Sequence, residues 1–475
     1  MFSRFSAQPR TDAAVAAATT FNFAVQTRRD AVQESGREGP PNTAVSSESK
    51  TAARLTELKI RLHRRLLETI KLSILDQMTP EELRRNVSEV VHELIHGEAV
   101  PLNANEEARI VKDVLDEFMG LGPIEPLLKD PTITDILVNT HDRVFVERGG
   151  RLELTPVQFY DDRHLMRIID RIVSAVGRRV DESSPMVDAR LADGSRVNAI
   201  IPPLAVDGPL LSIRKFAASP INIARLIELG SMPAELAELL KAIVRSRRNV
   251  LISGGTGSGK TTLLNAMSAF IDDRERIITI EDAAELQLQQ IHVARLETRP
   301  SNIEGRGEIT QRELVKNALR MRPDRIIVGE VRGGEAFDML QAMNTGHEGS
   351  MTTIHANSCR DALGRLEQMI GMTGLDLPAK SMRQQVASAL NVVIQLSRMG
   401  DGRRRVVSVQ EITGMESDVI TMQEIFRFHR RGTDAEGNID GNFIATGIRP
   451  RFMDEVRSRG IEVSDDIFQL NRVLG

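Results

Sequence analysis

The stretch Asn249-Val250-Leu251-Ile252-Ser253-Gly254-Gly255-Thr256-Gly257-Ser258-Gly259-Lys260-Thr261-Thr262 constrains this chain more than any other. An apolar run of strand length leads into a glycine-rich turn, and Leu263, Leu264, Met267, Phe270 and Ile271 follow at helical spacing. Strand, loop and helix in that order is the setting in which G-x-x-x-x-G-K-[ST] cradles a polyphosphate, and Gly254, Gly259, Lys260 and Thr261 fill that pattern. The glycines let successive backbone N–H groups converge without Cβ obstruction, the lysine brings a mobile ammonium to the outer phosphates, and the threonine hydroxyl suits Mg²⁺. Gly255, Thr256, Gly257, Ser258, Gly259, Lys260, Thr261 and Thr262 are therefore the candidate nucleotide contacts. An ordinary glycine-rich surface turn is the alternative, and the flanking strand and helix weigh against it.

The 475 residues are enough for two or three domains, each able to bury a core. A formal charge of −4 is small at that length and gives no sign of a nucleic-acid coat, while leaving local basic patches open. The only cysteine, Cys359, rules out an intramolecular disulfide and suits a reducing, cytoplasmic setting; its polar surroundings read as those of a passive residue rather than a nucleophile. No apolar run reaches membrane-spanning length, and the alanine-rich residues 13–18 are too short for the core of a signal peptide, so neither a membrane span nor a leader is expected.

Residues 1–50 mix Ala, Ser, Thr, Gln and charges without a sustained period and read as a disordered tail. Over 51–118, Leu62, Leu66, Ile70 and Ile74, widened by Leu67 and Leu75, make one amphipathic stripe. Thr79-Pro80-Glu81-Glu82 has the form of a capping box ahead of Leu83, Val87, Val91 and Leu94, and Ile110, Val111, Val114, Leu115 and Phe118 mark a third helix. A small helical bundle is expected there, with Arg61, His63, Arg64, Arg65 and Lys71 on a solvated face or turned toward a membrane surface or partner. Over 119–220 the texture changes to strands at 134–139, 143–147, 187–191, 197–201 and 210–216 around one helix carrying Leu165, Ile168, Ile169, Ile172 and Val173, an α+β domain.

From 221 to 475 strand-length runs at 250–253, 277–280, 325–328, 351–354 and 392–396 alternate with helical spacing, and the chain is expected to end in a helical extension. Such alternation argues for an α/β domain with a mainly parallel sheet and its site at the strand C-terminal ends. Two of those ends carry acids. Glu281-Asp282 stands where a base polarising an attacking water would, although a capped turn with solvated acids fits the same spacing. Glu330 tips the 325–328 run through Gly329 and, with Thr261, makes the candidate metal pair. Thr345-Gly346-His347 and Ile354-His355-Ala356-Asn357 set histidines on either side of the 351–354 run. No cysteine or third histidine lies close enough in sequence for zinc, so His347 and His355 read as hydrogen-bonders at the nucleotide edge.

Together, Gly254 to Thr261, Ile280-Glu281-Asp282, Val328-Gly329-Glu330-Val331-Arg332, Thr345-Gly346-His347 and Ile354-His355-Ala356-Asn357 resemble the Walker A, Asp-box, Walker B and His-box elements of the secretion ATPase superfamily of type II and type IV systems and type IV pili, where a glycine before the Walker B glutamate is normal. Upstream, residues 122–128, 188–198 and 212–216 resemble the CpaF-type branch, the motor of Tad (Flp) pili. The likeness runs from about Leu62 to Arg430 and leaves residues 1–50 out.

The resemblance implies a RecA-like P-loop domain with a mainly parallel sheet, preceded by an α+β domain and a small N-terminal helical bundle. It implies ATP and Mg²⁺, and a ring-forming homo-hexamer with nucleotide between the two larger domains. By position, Glu281 would be the general base and Glu330 the metal-side carboxylate, with Arg196 and Arg214 reaching the phosphates as arginine fingers and His347 and His355 lining the site. Planar guanidinium forks suit the charge on equatorial γ-oxygens and can contribute ~10³-fold in rate. Solvated strand charges are the alternative for those two arginines, and a surface salt bridge the alternative for Arg190. The implied task is that of a cytoplasmic motor, peripheral at the inner membrane, adding or removing pilin subunits through an inner-membrane platform protein. An ATPase powering a type IV secretion system that exports DNA or protein is the alternative, and a nucleic-acid translocase a third reading. One tyrosine, no tryptophan and a slightly acidic balance speak against nucleic acid, because strand-tracking needs stacking aromatics and a basic groove. Intact Glu281 and Glu330 speak against a scaffold without hydrolysis.

Overall fold

The computed structural model describes residues 54–55, 57–59, 61–62, 65–66, 79–97, 102–216, 220–301 and 306–475. The tail expected over 1–50 lies outside the described residues, as do His63, Arg64, Leu67, Ile70, Lys71, Ile74 and Leu75 of the first expected helix. The chain divides into two compact units, Met1–Val114 and Leu115–Gly475. In the first unit the described positions between 54 and 66 are helical and bury Leu58, Leu62 and Leu66 completely. A helix over Pro80–Gly97 starts from the expected capping box: Thr79 N donates to Glu82 Oε2 at 3.0 Å and Glu82 N to Thr79 Oγ1 at 3.3 Å, which satisfies two donors that the helix itself cannot. A further helix, Ala104–Met119, buries Ile110, Val111 and Val114.

The second unit holds two sheets. The first has six strands, β1 (Ile133–Thr140), β2 (Arg143–Arg148), β3 (Arg151–Leu154), β4 (Met186–Arg190), β5 (Arg196–Ile200) and β6 (Leu210–Arg214), in the antiparallel order β3-β2-β1-β6-β5-β4. Period-two alternation decides its faces. Ile136, Val138, Val144, Val146, Val197, Ala199, Leu211 and Ile213 pack on Leu165, Ile168, Ile169, Ile172 and Val173 of the helix Asp162–Ala175. The intervening residues form the other face, where register sets Glu147, Asp135, Arg214, Arg196 and Arg190 side by side across β2, β1, β6, β5 and β4.

The second sheet has ten strands. Six are parallel, β7 (Val250–Gly254), β8 (Ile277–Glu281), β9 (Val293–Glu297), β10 (Arg325–Val328), β11 (Met351–Ile354) and β12 (Val392–Arg398), in the order β12-β7-β11-β10-β8-β9. This is an α/β, RecA-like ATPase fold. Val250 and Ile252 pack on one side with Leu239, Leu240 and Ile243 of the helix Ala234–Arg245 and with Leu263 and Leu264 of the helix Lys260–Ser268. Leu251 points to the other side, with Leu340, Leu363 and Val386 from the helices Glu335–Asn344, Cys359–Gly371 and Ala379–Ala389. Burial on both faces is why these strands read as unbroken apolar runs.

Beyond β12 the expected helical extension is replaced by antiparallel strands, β13 (Arg404–Glu416), β14 (Val419–Thr433), β15 (Ile439–Ala445) and β16 (Val473–Leu474), with a six-residue helix at Met453–Ser458 and a short 3-10 turn at Asp465–Phe468. The local chemistry favours strands: Val406, Val409, Ile412, Ile420, Ile425 and Phe426 are β-branched or aromatic and buried, and the β13–β14 turn holds Ser417 at φ 55°. The edge strand β9 was also not expected; its residues are only partly buried, so it lacks the apolar run that marks its neighbours.

Candidate nucleotide site

The phosphate loop leaves β7 at the C-terminal edge of the parallel sheet. Gly257 and Gly259 take φ of 68° and 94°, backbone that a side chain would strain, and a Cβ on Gly254 would stand 2.4 Å from Ser258 Oγ and 2.7 Å from the Leu396 carbonyl oxygen. The helix Lys260–Ser268 starts directly after Gly259 with no side-chain cap, which leaves its first N–H groups for an anion. Lys260 is buried, and its Nζ donates to the carbonyls of Gly254 and Gly255, both at 3.1 Å, and lies 3.3 Å from His355 Nδ1. Burial pulls its pKa below the usual lysine value, against the opposing pull of Glu330. Two arginines of the β12–β13 hairpin, with no motif to mark them in the sequence, brace this region. Arg404 Nε donates to the Gly257 carbonyl at 2.8 Å, and Arg398 donates to the Gly150 carbonyl at the β2–β3 turn.

Glu330 follows β10 and is held from two sides. Arg332 Nε and Nη2 lie 2.9 and 2.6 Å from its Oε2, and His355 Nε2 comes within 2.7 Å of Oε1 without hydrogen-bond alignment. Arg332 Nη1 continues to Asp282 Oδ2 at 3.2 Å, so Lys260, His355, Glu330, Arg332 and Asp282 form one chain of contacts along the strand ends. Burial lowers the pKa of His355, with Glu330 working in the opposite sense.

Glu281 is the last residue of β8. β8 lies three strands from β7, roughly 14 Å at ordinary strand spacing. The Glu281 side chain is only 3% exposed, its Oε2 accepts from Glu285 N at 2.7 Å and Leu286 N at 2.9 Å, and its Oε1 has no donor. Burial raises its pKa, and the two backbone donors offset part of that rise. The acid that the fold links to Lys260, through His355, is Glu330. The glycine before Glu330 also acquires a reason, since a Cβ on Gly329 would stand 2.9 Å from Glu281 Cγ.

The two histidines are carried apart. β11 runs parallel to β7 with Met351 beside Val250 and Ile354 beside Ser253, so His355 leaves the strand at the phosphate-loop edge and His347 enters at the opposite one. At ~3.3 Å per residue the four-residue strand alone separates the two edges by roughly 13 Å. His347 Nδ1 lies 3.3 Å from the Ala342 carbonyl, in a turn whose Gly349 and Ser350 N–H groups donate to Asn249 Oδ1 at 2.8 and 3.1 Å. His355 therefore stands beside the phosphate loop, and His347 stands at the far end of β11.

Arg196 and Arg214 share a cleft of about 190 Å³ with Thr261, Thr262, Asn265 and Glu285, so the fold does bring them opposite the first turn of the phosphate-loop helix. Each is paired with a carboxylate: Arg196 Nη1 with Glu285 Oε1 at 2.7 Å and Arg214 Nε with Asp135 Oδ1 at 3.1 Å. Arg190, in the same row, pairs with Glu297 at 2.9 Å, in keeping with the salt-bridge alternative. No group of three or more His, Cys, Asp or Glu side chains suited to a metal occurs among the described residues. Thr261 and Glu330 nevertheless fit Mg²⁺, which keeps several waters and takes few protein ligands beside substrate phosphates, and Glu330 Oε1 is an acceptor with no aligned donor.

A phosphate loop at the C-terminal edge of a parallel sheet, with a buried lysine linked through a histidine to a strand-end glutamate, defines a P-loop protein of the RecA-like class. Within that class the chain belongs to the type II/IV secretion system protein family, whose profile matches residues 117–436. It is 41% identical over 309 residues to "Putative conjugal transfer protein Rv3659c" of Mycobacterium tuberculosis, covering 64% of this chain and 87% of that one. It is 35% identical over 295 residues to the conjugal transfer protein TrbB of Rhizobium radiobacter, covering 61% and 85%. Among solved structures, the VirB11 ATPase from the Brucella suis type IV secretion system, in complex with sulphate, is 30% identical and covers 61% of this chain and 92% of that one, with a TM-score of 0.33. Among the described residues no helix is long and apolar enough to cross a membrane.

Proposed function

We propose that this protein is a motor ATPase: a cytoplasmic homo-hexamer, peripheral at the inner membrane, that hydrolyses ATP to drive assembly of a Tad-type pilus through an inner-membrane platform protein. The observation that supports hydrolysis is the meeting of Lys260, His355 and Glu330 at the mouth of the phosphate loop. In this reading the N–H groups of Gly255 to Thr262 and the Lys260 ammonium hold the polyphosphate, and Arg196 and Arg214 close on it from the α+β domain. Thr261 and Glu330 would hold Mg²⁺, which when bound neutralises charge on the β- and γ-oxygens. Glu330, restrained by Arg332, also orients the attacking water, while Glu281 holds the loop at 282–286 in place. Phosphate-release assays on the full chain test this. Lys260→Ala loses nucleotide binding, and Glu330→Gln keeps binding while turnover falls by about 10²-fold or more. Unchanged turnover in Glu330→Gln would refute the assignment.

The pilus assignment has a specific competitor, an ATPase of a type IV secretion system, which the conjugal-transfer names of the mycobacterial and rhizobial relatives favour. Deleting the gene in its host separates the two. Loss of surface filaments with DNA transfer and protein export intact supports the pilus motor, and the converse supports secretion. Strong stimulation of ATPase activity by single-stranded DNA would support the translocase instead.

A further inference from the structure

Arg190, Arg196 and Arg214 are direct cross-strand neighbours on one face of the first sheet, Arg190 opposite Arg196 and Arg196 opposite Arg214. Like charges directly opposite one another destabilise a sheet, so the row is held by anions. All three have one: Glu297, Glu285 and Asp135 respectively. Asp135 belongs to the same sheet, but Glu285 and Glu297 come from the ATPase domain, 89 and 107 residues away in sequence. Glu285 also has the most defined placement, since its backbone N–H is anchored on the buried Glu281 carboxylate at 2.7 Å and its side chain opens into the cleft that contains Thr261 and Thr262.

We infer that Glu285 is a holding carboxylate: it occupies the guanidinium of Arg196, and the terminal phosphate of a bound nucleoside triphosphate takes Arg196 by displacing it. The two anions compete for one fork across one small cleft. The Glu285 pair is about one-third exposed on both sides, with side-chain exposures of 39% for Arg196 and 31% for Glu285, so it is an ion pair of modest strength. A phosphate offers a more highly charged, bidentate acceptor to the same fork and wins the exchange. The exchange couples binding to movement, because the Arg196–Glu285 contact joins the α+β domain to the ATPase domain. Glu285 is thus a positioning residue that sets how much phosphate binding is needed to release the contact.

The inference rests on the reading that Arg196 reaches nucleotide phosphate, and the test keeps the two apart. The measurement is binding of a fluorescent non-hydrolysable ATP analogue with Mg²⁺ to the full chain, over a salt series, in Glu285→Gln, Glu285→Ala, Arg196→Ala and the double variant Arg196→Ala/Glu285→Gln. Releasing a pair of this kind corresponds to roughly two- to fivefold tighter binding, so both Glu285 variants are expected to bind the analogue that much more tightly, with KM for ATP falling in step. The gain should vanish in the Arg196→Ala background, a non-additivity that a purely structural role for Glu285 would not produce. If Arg196→Ala weakens binding but both Glu285 variants leave it unchanged or weaker, the holding role is overturned and the reading of Arg196 stands. If Arg196→Ala leaves binding unchanged, both are overturned.

Discussion

Glu281 and Glu330 divide the acid chemistry of the site, and the Glu281→Gln and Glu281→Ala variants tell which does what. Glu281 Oε2 accepts two backbone N–H groups, of Glu285 and Leu286, in a site that water does not reach. Alanine leaves the buried Leu286 N–H and the part-buried Glu285 N–H unpaired at ~1–3 kcal/mol each, so Glu281→Ala is expected to lose about 2–6 kcal/mol of stability, with the 282–286 loop released and turnover reduced. Glutamine keeps an amide oxygen for both donors and sets its NH₂ where Oε1 has no donor now. It also removes a charge that burial disfavours. The folded-state pKa of Glu281 is raised, so the native state binds the proton more tightly than the unfolded chain does. Stability therefore falls as pH rises from the unfolded value of 4.5 through the folded one, and the deficit persists above it. Glu281→Gln should accordingly be at least as stable as the parent at pH 7, with the advantage shrinking toward pH 4.5, and should retain turnover within about threefold. Urea unfolding at both pH values and phosphate release at saturating ATP are the assays. A loss of 10²–10⁴ in turnover with unchanged stability in Glu281→Gln would identify Glu281 as the general base and refute the reasoning.

Other expectations follow from single features. Gly349 holds φ at 83°, and a Cβ there would stand 2.5 Å from Nη1 of the fully buried Arg325, whose Nε and Nη2 bond Glu275 at 2.7 and 2.9 Å; Gly349→Ala is expected to cost about 3–5 kcal/mol in urea unfolding, comparable to breaking a buried pair. Burial pushes the Cys359 thiol up to about 12, so at pH 8 it should resist aromatic disulfide reagents in the native chain and react at once in urea. Thr310 and Glu313 close a capping box on the helix Gln311–Ala318, and Thr310→Ala should cost ~1 kcal/mol.

Much of the fold was legible because the parallel strands are buried on both faces: Val250 to Ile252, Ile277 to Ile280 and Ile326 to Val328 leave short, largely apolar runs. The C-terminal strands were not legible. Arg404, Arg405, Arg427, Arg430 and Arg431 interrupt their pattern, and the buried Arg405 is held both locally, on Asp401 at 3.1 Å, and across strands, on the Ile439 carbonyl at 3.4 Å and over the Phe428 ring. The phosphate loop could be located residue by residue because its chemistry is local. Arg404, Arg398, Glu285 and Glu297 could not, since each reaches its partner across 89 to 248 residues of chain and no local spacing records that distance.

What assembles the site is strand order. Because β11 separates β7 from β10, the residues that leave those strands, Gly255 onward, His355, and Gly329-Glu330, emerge beside one another although the chain visits them in the order loop, acid, histidine. His347 belongs to the same motif in sequence and is carried away from that edge by the same geometry, since it lies at the other end of β11. The arginine row obeys a second rule of the same kind: antiparallel pairing of β4, β5 and β6 places three guanidinium groups in register whatever loops join the strands. One sheet supplies a fixed edge and the other a fixed row, and the Arg196–Glu285 and Arg190–Glu297 pairs are two of the contacts between them. Since those contacts are exposed ion pairs, screened over ~8–10 Å at ordinary ionic strength, raising salt should loosen the nucleotide-free arrangement before it disturbs either sheet.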